Sequence, residues 1–366
     1  MRNLSREELI HILYGCTILG TGGGGTMDQG IALIDEALNL GKTFTLASFE
    51  ELEADDYVGT PYGCGAISPL TQEERDRYAR LQVSDKSPYL VALEQLEHFL
   101  GRELKGIIST ELGGMNTATA FYSAAMTGRL IMDGDPAGRS VPALQHSTYF
   151  LNGIPMCPMA VANQFGESAI FTHVYDDERG EDLVRALAVV SQNQIAVVDH
   201  VNTAEKIGNS VITGAISYAE KIGKAFQDAV QSGKDFVSAV RETGRGRDMF
   251  RGVICESQYE TRDGYTFGTM EIAGSDSWEG HRLKIWYQNE NIISWLDGEF
   301  YVTVPDLIVV LDEDHKFPQL NPYAQVGTHV SVLALPAPEA WTTTRGLEVF
   351  GPRSFGYNVD WRPFCK

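Results

Sequence analysis

The chain has 366 residues, of which 43% are hydrophobic, and it carries a formal net charge of -20 at pH 7. Its length suits two domains, and its acidity argues against nucleic acid or an anionic membrane as a partner, because either requires a basic surface. The apolar runs are strand-sized and the amino terminus is mixed and polar, so we expect a cytoplasmic protein without a signal peptide or membrane span.

The cysteines favour free thiols over a cross-linked framework. They are odd in number and form no CxxC pair, which argues against both a disulfide scaffold and a structural zinc module. Most are expected to be small buried residues. They are Cys16, Cys64, Cys157, Cys255 and Cys365.

The first half of the chain alternates helical and strand-like patterns. Ser5 followed by Glu8 is a capping-box pattern, which marks the start of the first helix. A strand, a helix and a strand within 104–135 form a β-α-β unit, which predicts two parallel strands. The expected elements are, in chain order, a helix at 6–16, a glycine loop at 20–26, a helix at 28–39, a strand at 44–48, a charged segment at 71–85, a helix at 86–100, a strand at 104–110, a helix at 115–127 and a strand at 129–135.

The second half of the chain is strand-rich. Strand-like segments, beginning with SAIFTHVY and NQIAVVDHV, are separated by polar or glycine turns, which is typical of an antiparallel or mixed β assembly. A helical stretch at about 203–241 interrupts them. We therefore predict an α/β amino-terminal domain with parallel β-α-β units at 1–165, and a mostly β carboxy-terminal domain with a helical insertion at 166–366.

Polar side chains cluster where the strands of the β-α-β unit are predicted to end. Glu111 and Asp133 follow neighbouring strands, with Asp135, Asn116 and His146 close by in sequence. The carboxyl ends of parallel strands are where ligands bind in α/β sheets, and adjacent carboxylates separate their pKa values into an acid and a base. We predict acid/base chemistry here, although the segment DGDPAGR is also a good turn.

The glycine loop GTGGGGT precedes a helix. Gly22, Gly23 and Gly24 would allow backbone N–H groups to approach a phosphate or carboxylate at the positive end of that helix. The loop lacks the ending of a P-loop and no clear strand precedes it, so it is not a dinucleotide fingerprint. The alternative interpretation is a tight connection between two helices.

Two further positions are candidates for chemistry, and a metal is an additional possibility. Cys64 lies between two glycines and is a possible nucleophile, although no basic neighbour in sequence would form its thiolate and a buried structural thiol is the alternative. His200 ends an apolar strand and could move a proton or bind a metal. A divalent metal such as zinc would need ligands from distant segments, with Asp133, Asp135, His146 and His200 as candidates.

Polar residues near the carboxyl terminus are candidate binding groups. Asn289 and Glu290 lie in the dense polar run QNEN, which could be an exposed turn or could hydrogen-bond a polar heterocycle. Arg353, in GPRSFGY, could pair with a carboxylate in a bidentate manner.

Six motifs occur in order along the chain: GTGGGG, ELGGMN, DGDPAGRSVPALQ, QNEN, PDLI and GPRSFGY. Together they resemble the S-methyl thiohydantoin desulfurase family over residues 15 to about 360. The resemblance implies two domains and hydrolysis of an S-methylated 2-thiohydantoin to a hydantoin and methanethiol, in bacterial breakdown of S-methyl ergothioneine. Relatives are found near or fused to hydantoinase and oxoprolinase subunits, so the alternatives are a cyclic amide hydrolase or a non-catalytic partner subunit of one.

The implied substrate suggests roles for the candidate residues. Asp133 or Asp135 would protonate the ring nitrogen. In the route that the sequence favours, Cys64 attacks the ring carbon, and water activated by His146 or Glu111 hydrolyses the covalent intermediate without a cofactor. In the other route, water activated by a carboxylate or by a divalent metal attacks the ring carbon directly.

Binding groups follow from the same substrate. A propionate arm would lie on the glycine loop or against Arg139 or Arg353, and Asn116 or the QNEN amides would hold the ring. We also expect a homo-oligomer with a small heterocyclic substrate as its partner molecule.

Overall fold

The computed structural model of the protein describes residues 1–65 and 72–364. The helices are α1 (Arg6–Leu19), α2 (Met27–Asn39), α3 (Gln72–Tyr78), α4 (Pro88–Leu100), α5 (Asn116–Thr127), α6 (Thr148–Asn152), α7 (Asp177–Val189), α8 (Ala204–Gly208), α9 (Ala215–Ser232), α10 (Phe236–Thr243) and α11 (Thr344–Phe350).

The strands alternate with these helices in the first half and dominate the second half. They are β1 (Arg2–Asn3), β2 (Thr45–Ala47), β3 (Tyr57–Gly65), β4 (Gly106–Ile107), β5 (Leu130–Met132), β6 (Gly134–Asp135), β7 (Met159–Ala162), β8 (Ser168–Phe171), β9 (Gln194–Thr203), β10 (Ile212–Thr213), β11 (Arg247–Arg262), β12 (Tyr265–Gly274), β13 (Arg282–Gln288), β14 (Glu290–Leu296), β15 (Glu299–Thr303), β16 (Leu307–Asp312), β17 (Phe317–Pro318) and β18 (His329–Leu335).

The first sheet is mixed, with a parallel half and an antiparallel half. Its eight strands lie in the order β1-β2-β5-β4-β3-β9-β7-β8. Parallel pairings join β2, β5, β4 and β3, whereas β9 pairs antiparallel with both β3 and β7. Because α5 connects the parallel neighbours β4 and β5, the predicted β-α-β unit is confirmed.

The first sheet extends further along the chain than residue 165, where we placed the predicted domain boundary. β8 and β9 both belong to it, and β9 contains the strand-like segment that we assigned to the second half. The register pairs Cys64 of β3 with Ile195 of β9. Asp199 and His200 lie within β9, where Asp199 is paired with Thr60 of β3.

The second sheet is antiparallel throughout. Its eight strands have the order β15-β14-β13-β12-β11-β18-β16-β17, and each pairing is antiparallel. The predicted fold class, an α/β amino-terminal part with parallel β-α-β units and a mostly β carboxy-terminal part with a helical insertion, is confirmed. The strands β6 and β10 form a separate small antiparallel pair.

Local signals explain where the helices begin and end. Ser5 and Glu8 form the predicted capping box at the start of α1, an arrangement worth about 1 kcal/mol. Gly101 and Gly128 end α4 and α5 with left-handed φ angles of 66° and 71°, a conformation that costs glycine little.

One core joins the two halves of the chain. Gly15 of α1 packs so closely on α9 that a Cβ there would lie 1.7 Å from the carbonyl oxygen of Ala219. The same core includes Leu307 and Leu333 of the second sheet. Helix α1 contacts both α9 of the helical insertion and β16 of the second sheet, so this core joins the two halves of the chain.

Over residues 1–65 and 72–364, none of the helices combines the length and apolar character needed to cross a bilayer. The described cysteines, Cys16, Cys64, Cys157 and Cys255, are free thiols, as predicted. Cys365 lies outside the described residues.

Candidate active site

A cavity of about 430 Å³ is lined by residues from both halves of the chain. This volume suits a small heterocycle with a short side chain. The lining residues are 22–26, Gln29, 62–65, Tyr89, Thr110, Glu111, Met115, Asn116, 141–144, Ser147, Glu181, Arg185, Gln194, Asn289, Glu290, Leu320, Asn321 and Tyr323.

The glycine loop forms one wall of the cavity. Gly22 and Gly24 have φ angles of 97° and 75°, which side chains rarely adopt. The carbonyl oxygen of Gly24 accepts hydrogen bonds from the backbone N–H groups of Met115 and Asn116, at 3.0 and 3.2 Å. A Cβ at Gly24 would lie 2.4 Å from Gly113 Cα. Glycine is therefore required here for close approach to the start of α5.

The loop is also bonded to the second sheet. The backbone N–H groups of Asn291 and Asn321 donate to the carbonyl oxygens of Thr21 and Gly22, each at 2.9 Å. The wall of the cavity is thus built jointly by the first and second halves of the chain.

Glu111 faces the cavity from the loop that follows β4. Its two carboxylate oxygens accept hydrogen bonds from Asn116 Nδ2, at 2.7 Å, and from the backbone N–H of Val141, at 2.8 Å. The Asn116 side chain in turn accepts from the backbone N–H of Gly63, at 3.1 Å. Glu111 is therefore fixed in orientation, and of the five residues expected to gather at the strand ends the structure brings Glu111 and Asn116 into this cavity.

Glu290 faces the same cavity from the first residue of β14. It is 2% exposed, and Oε2 has no hydrogen-bond partner among the described residues. Oε1 lies directly against the glycine loop, because a Cβ on Gly23 would be 1.7 Å from it. The preceding residue, Asn289, has a φ of 57° and accepts a hydrogen bond from the backbone N–H of Thr266 at 2.9 Å. That turn directs Glu290 inward.

Burial raises the pKa values of both carboxyl groups. For Glu111, loss of water outweighs the hydrogen bonds from Val141 and Asn116 and raises the pKa to about 7. For Glu290, burial and then repulsion from Glu111 raise the pKa well above its ordinary value. Two buried carboxyl groups with raised pKa values in one cavity are candidates for a general base and a general acid.

Cys64 lines the cavity from β3, but its surroundings disfavour the thiolate. Burial, followed by the negative charge of Glu181, raises the pKa of the Cys64 thiol to about 12, against a smaller opposing effect of Arg185. A reactive cysteine normally has a lowered pKa. The thiol is therefore a neutral part of the cavity wall at physiological pH.

Two family models together match nearly the whole chain. One is described as the S-Me-THD-like N-terminal domain and matches residues 7–173, and the other is the S-Me-THD-like C-terminal domain and matches residues 175–364. The chain belongs to the S-Me-THD-like family. The resemblance that the six motifs predicted is thereby confirmed, and the family's name suggests an enzyme.

The S-Me-THD-like fold has also been seen in a crystal. The structure of a protein from Chromobacterium violaceum is similar to this chain, with a TM-score of 0.77 and 22% identity over 100% of both chains. At this identity the likeness shows the fold alone. A search of curated proteins found no match.

Two of the predicted acids of this S-Me-THD-like chain do not line the cavity. Asp133 accepts hydrogen bonds from the backbone N–H and the hydroxyl of Ser217, at 3.0 and 2.5 Å, so it caps the start of α9. Asp135 Oδ1 accepts from the backbone N–H groups of Ala137 and Gly138, as in a turn. Burial raises the pKa of Asp135 to about 8. The turn interpretation therefore describes this segment better than the gathering we predicted.

His146 and the two predicted arginines also lie off the cavity. The His146 ring packs 5.0 Å from the Phe350 ring, and burial, followed by the charge of Arg139, lowers its pKa to about 3. Arg139 is fully buried and donates to Thr21 Oγ1 at 2.8 Å. Arg353 is at the surface, where it donates to Asp360 at 2.9 Å. Arg139 therefore braces the glycine loop, and neither arginine is placed to receive a substrate carboxylate.

The four proposed metal ligands are not brought together. Asp133, Asp135 and His146 have the separate partners described above, and His200 lies between Asp199 and another carboxylate. Within residues 1–65 and 72–364, no group of three or more His, Cys, Asp or Glu side chains is arranged to hold a metal ion. The predicted ligand set thus does not form a single site.

Two charged residues that the sequence analysis missed line the cavity. Glu181 and Arg185 are one turn apart on α7 and form a salt bridge, with side chains 6% and 12% exposed. Arg185 also donates to the carbonyl oxygen of Pro142 at 3.2 Å and lies 3.8 Å above the Tyr265 ring. Among the described lining residues, Arg185 is the only lysine or arginine. Their i, i+4 spacing was visible in sequence but resembled an ordinary solvated helix face.

Proposed function

We propose that this protein hydrolyses the C–S bond of an S-methyl thiohydantoin, giving a hydantoin and methanethiol. The observation that carries the proposal is the pair Glu111 and Glu290, two buried carboxyl groups that reach one cavity from opposite halves of the chain. Their raised pKa values suit one as a base and the other as an acid near neutral pH. Membership of the S-Me-THD-like family supports the substrate class, and we infer from it a place in S-methyl ergothioneine breakdown.

The carboxyl pair matches the chemistry of the substrate. An S-methyl thiohydantoin has an isothiourea carbon that becomes electrophilic when its ring nitrogen gains a proton. Glu290, whose pKa is raised by burial, supplies that proton, and Glu111 in its ionised form removes one from the attacking water. The water oxygen forms the new carbonyl and the C–S bond breaks. One water proton ends on the ring nitrogen and the other on the sulfur of methanethiol, so the step is balanced.

Arg185 is the group best placed for an anionic arm of the substrate. It is the cation of the described cavity wall, and its guanidinium is held in orientation by Glu181 and by the Tyr265 ring. Guanidinium groups held in this way bind carboxylates with defined geometry. In this proposal Arg185 binds the substrate carboxylate, the role that the sequence suggested for Arg139 or Arg353. The glycine loop remains the alternative site for that carboxylate.

Direct attack by water predicts that the Cys64 thiol is dispensable. Replacing Cys64 by alanine is expected to leave most of the turnover intact, because a thiol with a pKa of about 12 is a poor nucleophile at neutral pH. The measurement is the steady-state rate of methanethiol release. A variant that binds substrate but releases no methanethiol would instead establish a covalent route through Cys64.

The substrate assay tests the proposed function itself. Purified protein is incubated with S-methyl thiohydantoins and with the corresponding plain hydantoins, and free thiol and ring opening are measured separately. We expect methanethiol from the S-methylated compounds and no ring opening. Ring opening of hydantoins would indicate a cyclic amide hydrolase, and the absence of both products would favour a binding or partner subunit.

A further inference from the structure

A buried histidine lies between two carboxylates next to the cavity wall. His200 Nδ1 is 2.9 Å from Asp199 Oδ1, and Nε2 is 3.3 Å from Asp177 Oδ2. All three residues are at most 5% exposed. Because carboxylate oxygens only accept hydrogen bonds, both ring nitrogens donate and the ring carries a positive charge. This group connects β9, which carries Asp199 and His200, to α7, which begins at Asp177.

Helix α7, which Asp177 joins to His200, also carries the two charged residues that line the cavity, Glu181 and Arg185. Asp177, Glu181 and Arg185 follow one another at intervals of four residues, so they lie along one face of α7. His200 contacts the first of them, and the other two line the cavity. His200 therefore holds the first turn of α7, about one turn before Glu181 and about two turns before Arg185.

Asp199 also connects His200 to the cavity wall, through Tyr62. The Tyr62 hydroxyl donates to Asp199 Oδ2 at 2.7 Å, and Tyr62 lines the cavity two residues before Cys64. The His200 ring also stacks on Tyr149, with centroids 4.5 Å apart and planes at 18°. Packing and hydrogen bonds thus hold His200 even though its φ of 47° is unfavourable for a side chain.

We propose that His200 is a positioning residue of the active site, which fixes α7 to the first sheet and thereby holds Glu181 and Arg185 against the bound ligand. The role of the positioned pair in binding an anionic arm rests on the proposed function. The fixing of α7 does not, because it follows from contacts within the chain.

Loosening α7 is expected to affect substrate binding, and hence KM, more than the chemical step and kcat. Glu111 and Glu290 lie on the loop after β4 and on β14, so loosening α7 leaves them in place. A shift of Arg185 instead weakens the contact with the ligand. A misplacement of about 1 Å can cost about 100-fold in an enzyme, and a partial loosening of one helix is expected to raise KM about 10-fold with kcat nearly unchanged.

The test compares His200→Gln with Asp177→Asn and with a matched control. Asp177→Asn keeps the shape of the side chain, so it serves if His200→Gln does not fold. The control is His281→Gln, because His281 forms an exposed pair with Asp297 in the second sheet, at 2.5 Å. For each protein, KM and kcat are measured with an S-methyl thiohydantoin propionate, and amide hydrogen exchange is measured across α7 and α5.

The expected result is an increase in KM together with faster exchange in α7, with α5 and the control unchanged. Unchanged exchange in α7, or a loss confined to kcat, would overturn the positioning role. Faster exchange in α7 in a protein that neither binds nor turns over the thiohydantoin would uphold the fixing of α7 and reject the proposed function. The two failures are therefore distinguishable.

Discussion

Replacing Glu111 by glutamine is expected to lower kcat by about 10² to 10⁴-fold, the usual contribution of a general base. The substitution preserves the volume of the side chain and can still accept the hydrogen bond from the Val141 N–H. It removes the ability to take a proton from water. Steady-state methanethiol release gives kcat, and circular dichroism shows whether the fold is retained.

The pH profile separates a catalytic effect from a structural one. A base must be ionised to act, and the pKa of Glu111 is raised to about 7 by burial. For the wild type, kcat/KM should therefore rise as pH increases through about 7, and this limb should be absent in Glu111→Gln. The control is Glu103→Gln, since Glu103 is 70% exposed. If Glu111→Gln kept the same limb and rate, another group would be the base.

The part of the site that follows from local chain geometry was predictable from sequence. The β-α-β pattern predicted that Glu111 and Asn116 would lie near the strand ends, and Asn116 Nδ2 lies 2.7 Å from Glu111 Oε1. Gly24 packs against Gly113, which agrees with the alternative interpretation of the glycine loop as a tight connection, and an anion at the loop stays a prediction. Strand direction and glycine conformations could be predicted because neighbouring residues set them.

The part that depends on long-range packing was not predictable. Arg139 looked like a free cation in sequence, but its donors are used by Thr21 and by carbonyl oxygens of the second half of the chain. Glu181 and Arg185 looked like a solvated pair, but the β11–β12 hairpin covers them through Tyr265. No spacing within a segment indicates which distant segment will cover it.

His200 illustrates the same limit in another way. It was a candidate metal ligand because it ends an apolar strand, but the antiparallel pairing of β9 with β3 buries it between carboxylates. Burial alone would lower its pKa, and the carboxylates of Asp199 and Asp177 outweigh that effect and raise it to about 10. The sequence contained every residue of this group but not their arrangement.

Replacing Glu290 by glutamine is expected to lower kcat by a similar factor, about 10² to 10⁴-fold, but to change the opposite side of the pH profile. An acid must be protonated to act, and burial together with the nearby Glu111 raises the pKa of Glu290 well above its ordinary value. Wild-type kcat/KM should therefore fall as Glu290 loses its proton, at a pH well above the ordinary range of a glutamate, and this fall should be absent in Glu290→Gln. A descending limb that persisted in the variant would contradict the assignment.

The contact between Glu290 and Gly23 allows its position to be tested without removing the carboxyl group. A Cβ at Gly23 would come within 1.7 Å of Glu290 Oε1, so Gly23→Ala must displace that side chain. We expect a loss of kcat in the wild-type background and little further loss when Glu290 has already been replaced by alanine, because the clash is then relieved. Such non-additivity typically corresponds to about 0.5–3 kcal/mol between contacting residues. Equal losses in both backgrounds would mean that Gly23→Ala acts on the loop and not through Glu290.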